Sequence, residues 1–195
     1  MIPKREIATR NGQTYFVTSN TVERKPFFRH ERWARLFVDT LYGYRPERYF
    51  LHGFVVMPDH FHMLITPRAS LELAIQCVKG GFSFRAKREF DWAGNVWVAG
   101  FADHRIRNKE DYETHLAYMA NNPVRARLVD RPEQYAYSSV SGAFEVDVFP
   151  RGLKPPDSLA TPVGAPEAAP FQNKKAFQGD SFKSTAHLTS NKSRV

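Results

Sequence analysis

The period of the apolar positions changes repeatedly along the first half of the chain, and each change predicts an element. Residues 13–21, QTYFVTSNT, are rich in β-branched and aromatic types and follow Asn11-Gly12, which predicts a first strand. Pro26 and Phe27 lead into RHERWARLFVDTLYGY, where Trp33, Leu36, Phe37, Thr40 and Leu41 recur at helical spacing. This predicts an amphipathic helix that closes near Gly43 and Pro46. Residues 48–57, RYFLHGFVVM, read as a strand, and Pro58-Asp59 is a turn signal. In the following HFHMLITP, alternation puts His60, His62 and Leu64 on one face and Phe61, Met63 and Ile65 on the other. The two runs predict an antiparallel hairpin.

Ser70 can cap a second helix with Leu71, Leu73, Ile75 and Val78 as apolar positions, continuing through Phe82, Phe84 and the basic Arg85, Lys87 and Arg88. Gly80-Gly81 weakens that helical pattern. Residues 97–107, WVAGFADHRIR, predict a fourth strand. Asn108 caps a third helix whose first turn carries Glu110, Asp111 and Glu113, and Pro123 is expected to end it. The order β-α-β-β-α-β plus a further helix predicts an α+β fold. Its expected form is a ferredoxin-like sandwich, an antiparallel sheet with two helices on one face and a C-terminal catalytic helix. From about residue 152 periodicity vanishes and Pro, Ala, Ser, Asn and Lys dominate, which predicts disorder. The expected organisation is a polar arm over 1–10, one catalytic domain over 11–150, and a basic tail over 151–195.

Charge refines this picture only slightly. The net charge of +8 over 195 residues divides equally between the tail and residues 1–150. An anionic partner is favoured, but the excess on the folded part is modest. The single cysteine, Cys77, excludes an intrachain disulfide and a cysteine-based zinc site. With no apolar leader after Met1 and no apolar run near ~20 residues, a soluble cytoplasmic protein is expected.

Candidate chemistry sits at two places. On a strand, His60 and His62 have Cα atoms ~6.5–7 Å apart on one face, so both imidazoles can reach one ion. Two polar residues on a solvent face fit the same string. In NKEDYETHLAYMANNPV, Tyr118 and Asn122 are at i and i+4. A tyrosine on a rigid helix can serve as nucleophile, and an amide oxygen one turn away suits a hard cation such as Mg²⁺ or Mn²⁺. A tyrosine packing its ring fits equally. His115, three residues before Tyr118, is a candidate for proton transfer or a surface residue. Tyr112 is a rival nucleophile, but ~600° around the helix it cannot share the face of Tyr118. Arg85, Lys87, Arg88, Arg105, Arg107 and Arg125, interleaved with aromatics, are candidates for neutralising phosphates beside stacked bases, or an ordinary solvated surface.

The string VVMPDHFHMLI, a basic helix, DHRIRNKEDYETHLAYMANNPVRARLV and the closing YAYSS together resemble the REP-associated tyrosine transposases, in the insertion-sequence 200-like branch of the HUH endonucleases. The resemblance runs over residues 12–139. It implies that His60 and His62 hold Mg²⁺ or Mn²⁺, with Asn122 in the place of the third ligand, where related insertion-sequence enzymes usually carry glutamine. It implies Tyr118 as nucleophile, forming a 5′-phosphotyrosine with single-stranded or hairpin DNA, REP-like palindromes being the expected partner. A monomer and a homodimer are both compatible. Two other classes stay open: a hairpin DNA- or RNA-binding module without chemistry, and a metal-dependent phosphodiesterase that uses water.

Overall fold

Alternating side chains make a sheet with two different faces. In the computed structural model, which describes residues 12–150, β1 (Tyr15–Asn20), β2 (Tyr49–Met57), β3 (His60–Pro67) and β4 (Ala102–Arg105) pair antiparallel in the order β2-β3-β1-β4. Helix α1 (Glu31–Tyr44) connects β1 to β2, and α2 (Leu71–Phe90) connects β3 to β4. This is the expected ferredoxin-like α+β sandwich. The predicted arm over 1–10 and the tail over 151–195 lie outside the described residues.

Tyr15, Val17, Leu51, Phe54, Val56, Phe61, Met63 and Ile65 form the main core with Phe37 and Leu41 of α1 and Ile75, Val78 and Phe82 of α2. The other face carries Val55, Met57 and Leu64. Against it pack Ile106 and, from helix α3 (Lys109–Arg125), Tyr112 and Met119. The sheet is therefore sandwiched between α1 and α2 on one side and α3 on the other. Gly53 lets α3 approach β2 closely: a Cβ there would lie 3.0 Å from Leu116 Cδ1 and 3.1 Å from Met119 Cε. Tyr112 is buried in this second core, so it is a packing residue and not a rival nucleophile.

The outer edge of β2 is covered. Val56 N–H donates to the Tyr137 carbonyl at 2.9 Å, Val55 bridges Ser138, and Phe54 N–H donates to Ser139 Oγ at 3.0 Å. The YAYSS segment thus satisfies an edge that would otherwise template pairing with another chain. Farther along, Arg45 forks onto both Asp147 carboxylate oxygens at 2.9 Å, and Asp147 accepts from Leu51 N–H.

Two elements differ from expectation. The fourth strand spans only Ala102–Arg105, because Gly100 at φ +72° turns the chain before it. Trp97 instead makes an isolated bridge to Thr21 and packs its ring 5.5 Å from those of Phe37, Phe61 and Phe82. Helix α3 continues past Pro123, which sits in its last turn and costs the helix one backbone hydrogen bond, that of its own missing N–H. The stop comes at Arg127, at φ +56°, with Leu128 N–H bonded to the Pro123 carbonyl at 2.9 Å.

Helix α2 runs unbroken through Gly80-Gly81. A Cβ on Gly81 would collide with the Tyr44 ring. Gly81→Ala is therefore expected to destabilise by about 1 kcal/mol, overpacking outweighing the gain in helix propensity. In a Tyr44→Ala background the same change should stabilise, which paired denaturant melts would measure.

His52, the bulged residue of β2, is buried in a chain of hydrogen bonds through Thr66 to Thr14, each 2.8 Å. Burial lowers its pKa below 6.5. The unfolded chain therefore takes up this proton first on acidification. The stability His52 contributes is present above pH 6.5 and is lost as pH falls from there to the lowered folded value. The decline in Tm over that window should be shallower in His52→Gln than in the wild type.

Candidate active site

The strand register gathers the site. Asn20, Thr18 and Phe16 of β1 lie opposite His60, His62 and Leu64 of β3, so their side chains share the α3 face. Thr18 Oγ1 is 2.7 Å from His62 Nδ1. His62 is 4% exposed, and its Nε2 is buried with no hydrogen-bond partner among the described residues. Burial, followed by the proximity of His60 and Arg24, holds its pKa well below 6.5. His62 is thus a neutral imidazole with one nitrogen held by a hydroxyl and the other uncommitted.

His60 is oriented by a carboxylate. Its Nδ1 donates to Asp59 Oδ1 at 2.7 Å, while Arg24 Nε holds Asp59 Oδ2 at 2.8 Å. Burial alone would raise the Asp59 pKa; the His60 hydrogen bond, the proximity of His60 and Arg24 and a backbone N–H bring it below 3.8. A carboxylate on Nδ1 fixes the tautomer that leaves Nε2 as the ligand nitrogen. The two imidazole centroids are 4.9 Å apart.

Helix α3 brings Tyr118 onto this pair. Its ring centroid is 5.5 Å from that of His62 and 5.9 Å from that of Phe16, and Arg125 Cζ lies 5.4 Å from it. Asn122 is one turn farther on, with Nδ2 buried and without a hydrogen-bond partner among the described residues. Rotating that amide puts an oxygen where the unpaired nitrogen is, so Asn122 has a donor atom to offer an ion.

His115 falls into a neighbouring group. Its Nδ1 lies 2.8 Å from the Asp111 carbonyl and 3.0 Å from Asp111 Oδ1, and its ring stacks on His104 at 4.5 Å. His104, Asp111 and His115 bring ligand atoms within 4.8 Å of one another, a group able to hold a metal ion. Phe16 separates the two groups, with its ring 5.2 Å from His62 and 4.8 Å from His115.

Of the candidate phosphate-binding residues, Arg125 reaches Tyr118. Arg85, Lys87 and Arg88 are on α2, across the sheet from the histidine pair, where Arg85 bonds Thr40 and Glu89. Arg105 pairs with Tyr15 on β1 and so also faces away from the pair. Arg107 follows β4, its N–H bonded to Asp111 Oδ2 at 3.0 Å. Thr18 and Phe16 are additions to the sequence-derived set. Alternation in residues 13–21 signals that Phe16 and Thr18 share a face, but not that this face meets His62.

The chain thus combines a ferredoxin-like sheet, a histidine pair on an inner strand and a tyrosine-bearing helix packed on the same face. No protein-family model matches the chain. A REP-associated tyrosine transposase of Escherichia coli (strain K12) is 28% identical over 150 residues, spanning 75% of this chain and 84% of that protein. A relative from Haemophilus influenzae is 27% identical over 107 residues, spanning 49% of this chain and 61% of its own length. A solved structure of a REP-associated tyrosine transposase bound to a REP hairpin has the same fold, with a TM-score of 0.58 and 22% identity over 71% of this chain and 86% of that one. In sequence the chain is a homologue of the REP-associated tyrosine transposases, and it has their fold. Among the described residues no helix is long and apolar enough to cross a membrane.

Proposed function

We propose that this chain is a DNA transposase of the REP-associated kind: a single-strand endonuclease and strand transferase that cuts beside a hairpin through a 5′-phosphotyrosine on Tyr118. The observation that carries the reading is the Tyr118 ring 5.5 Å from His62, whose Nε2 is buried and uncommitted. A nucleophile on a rigid helix and an open ligand nitrogen in one place serve a common purpose. That the structurally similar transposase holds a REP hairpin supports hairpin DNA as the partner.

The donor set fits a divalent cation. His60 and His62 through Nε2 and Asn122 through its amide oxygen would hold Mg²⁺ or Mn²⁺. When bound, such an ion supplies charge neutralisation at a scissile phosphate. The protein does the rest. Tyr118 Oη attacks phosphorus, the bond to the 3′-oxygen breaks, and a 3′-OH leaves. The new ester retains the energy of the broken one, so a second 3′-OH can reverse the step and join strands without ATP. Tyrosine ordinarily titrates near 10, so its proton must depart as it attacks. His115 lies one turn before Tyr118 and is the candidate group to receive it. Arg125, beside the ring, sets a positive charge where the phosphate arrives.

The test is a labelled hairpin oligonucleotide with a single-stranded flank, incubated with the full chain and Mn²⁺ and run on a denaturing gel. A covalent protein–DNA adduct is expected. Cleavage without an adduct would instead indicate water as nucleophile, and retention without cleavage a binding module. Asp59→Asn should raise the half-saturating Mn²⁺ concentration for adduct formation about 10–100-fold, because His60 loses the carboxylate that orients it.

A further inference from the structure

At the edge of the α3 face farther from β2, three ligand-bearing side chains converge outside the histidine pair. We infer that His104, Asp111 and His115 form a second cation site, selective for a borderline transition-metal ion such as Zn²⁺ or Co²⁺, and that the ion pins helix α3 to strand β4.

His104 Nε2 lies 3.1 Å from Asp111 Oδ1 and 3.0 Å from Oδ2, and His115 Nδ1 lies 3.0 Å from Oδ1. One ligand atom from each residue falls within 4.8 Å of the other two. With metal–ligand bonds of roughly 2.0–2.2 Å, a tetrahedral ion holds its ligands about 3.3–3.5 Å apart. Two imidazole nitrogens already meet at one carboxylate; on binding, His115 Nδ1 exchanges its hydrogen bond to the Asp111 carbonyl for the ion, and each imidazole keeps its proton on the ring nitrogen facing away. Three protein ligands leave the fourth position to water.

The donor set differs from that of the other site by an anionic ligand: the Asp111 carboxylate stands where the other has the neutral Asn122 amide, and two imidazoles with a carboxylate suit Zn²⁺, Co²⁺ or Ni²⁺. The ligands are held in advance. Asp111 and His115 are one turn apart on α3, and the Arg107 N–H fixes Asp111 Oδ2 at 3.0 Å. Asn108 Oδ1 caps the Asp111 N–H at 2.9 Å, and His104 is registered against Phe16 on β1. Burial would raise the Asp111 pKa, but the His104 hydrogen bond, the Arg107 N–H and the two imidazoles lower it, so the anionic ligand is in place at neutral pH. Binding would release protons and tighten as pH rises.

The position gives the site a purpose. His115 precedes Tyr118 by three residues on the same helix, and β4 pairs with β1, which carries Thr18. An ion bridging β4 and α3 would fix the helix that presents Tyr118 without touching DNA. This makes it a structural staple, independent of whether the His60–His62 pair supports chemistry.

The test uses full-length protein stripped with EDTA and titrated with Co²⁺, followed by its visible absorption, and with Zn²⁺, followed by thermal melting. A His60→Ala/His62→Ala variant should still bind one equivalent with a rise in Tm. Adding His104→Ala should abolish both signals. Asp111→Asn, which keeps an oxygen for the Arg107 N–H, should weaken binding at least about tenfold and serves if the alanine variant misfolds. Absence of binding in the His60→Ala/His62→Ala variant, or binding undiminished by both His104→Ala and Asp111→Asn, would overturn the proposal. Neither result bears on the adduct assay.

Discussion

Tyr118→Phe is expected to lose all covalent adduct and to cut cleavage by on the order of 10⁴-fold or more, the scale of removing a covalent nucleophile. Hairpin affinity should change less than about threefold, since phosphate contacts dominate binding and the ring is retained. The substitution removes one oxygen and leaves the packing against His62 and Phe16. It is therefore a clean test, because the fold has no reason to move. A gel-shift titration beside a denaturing gel separates the two quantities. If Tyr118→Phe cleaves as fast as wild type, water or another side chain is the nucleophile.

His60→Ala should have the second largest effect. The loss expected in Mn²⁺-dependent cleavage is about 10²–10³-fold, the several kcal/mol that a positioned cation supplies to the transition state. Removing His60 also releases Asp59 Oδ1, while Arg24 keeps its hold on Oδ2. The Asp59 carboxylate is consequently expected to titrate higher in this variant, since the His60 hydrogen bond that lowers it is gone. DNA affinity should stay near wild type. Unchanged cleavage by His60→Ala would remove the histidine pair from the mechanism.

What could be read in the sequence was local. The i, i+2 spacing of His60 and His62 and the i, i+4 spacing of Tyr118 and Asn122 follow from strand and helix periods alone. The Ser70 and Asn108 caps were legible for the same reason, and both side chains accept from the N–H three residues on. The partners of the site residues were not legible, because they depend on pairing at a distance. Thr18 meets His62 across 44 residues through the β1–β3 register. Arg24 reaches Asp59 from a turn whose residues Glu23 and Arg24 hold positive φ, which no propensity announces. Composition could not say on which side of the sheet a basic helix lies, so Arg85, Lys87 and Arg88 were grouped with a site that is across the sheet from them. The fourth strand is shorter than its composition predicts because Trp97 goes into a bridge and an aromatic cluster and Gly100 breaks the run.

The central claim is that Tyr118 becomes covalently joined to DNA. Its most direct test is mass spectrometry of the protease-digested adduct formed by wild type with a hairpin oligonucleotide and Mn²⁺. The account predicts nucleotide mass on the peptide that contains Tyr118, on that residue's oxygen. Nucleotide mass on any other residue, or cleaved DNA with no modified peptide, would contradict it.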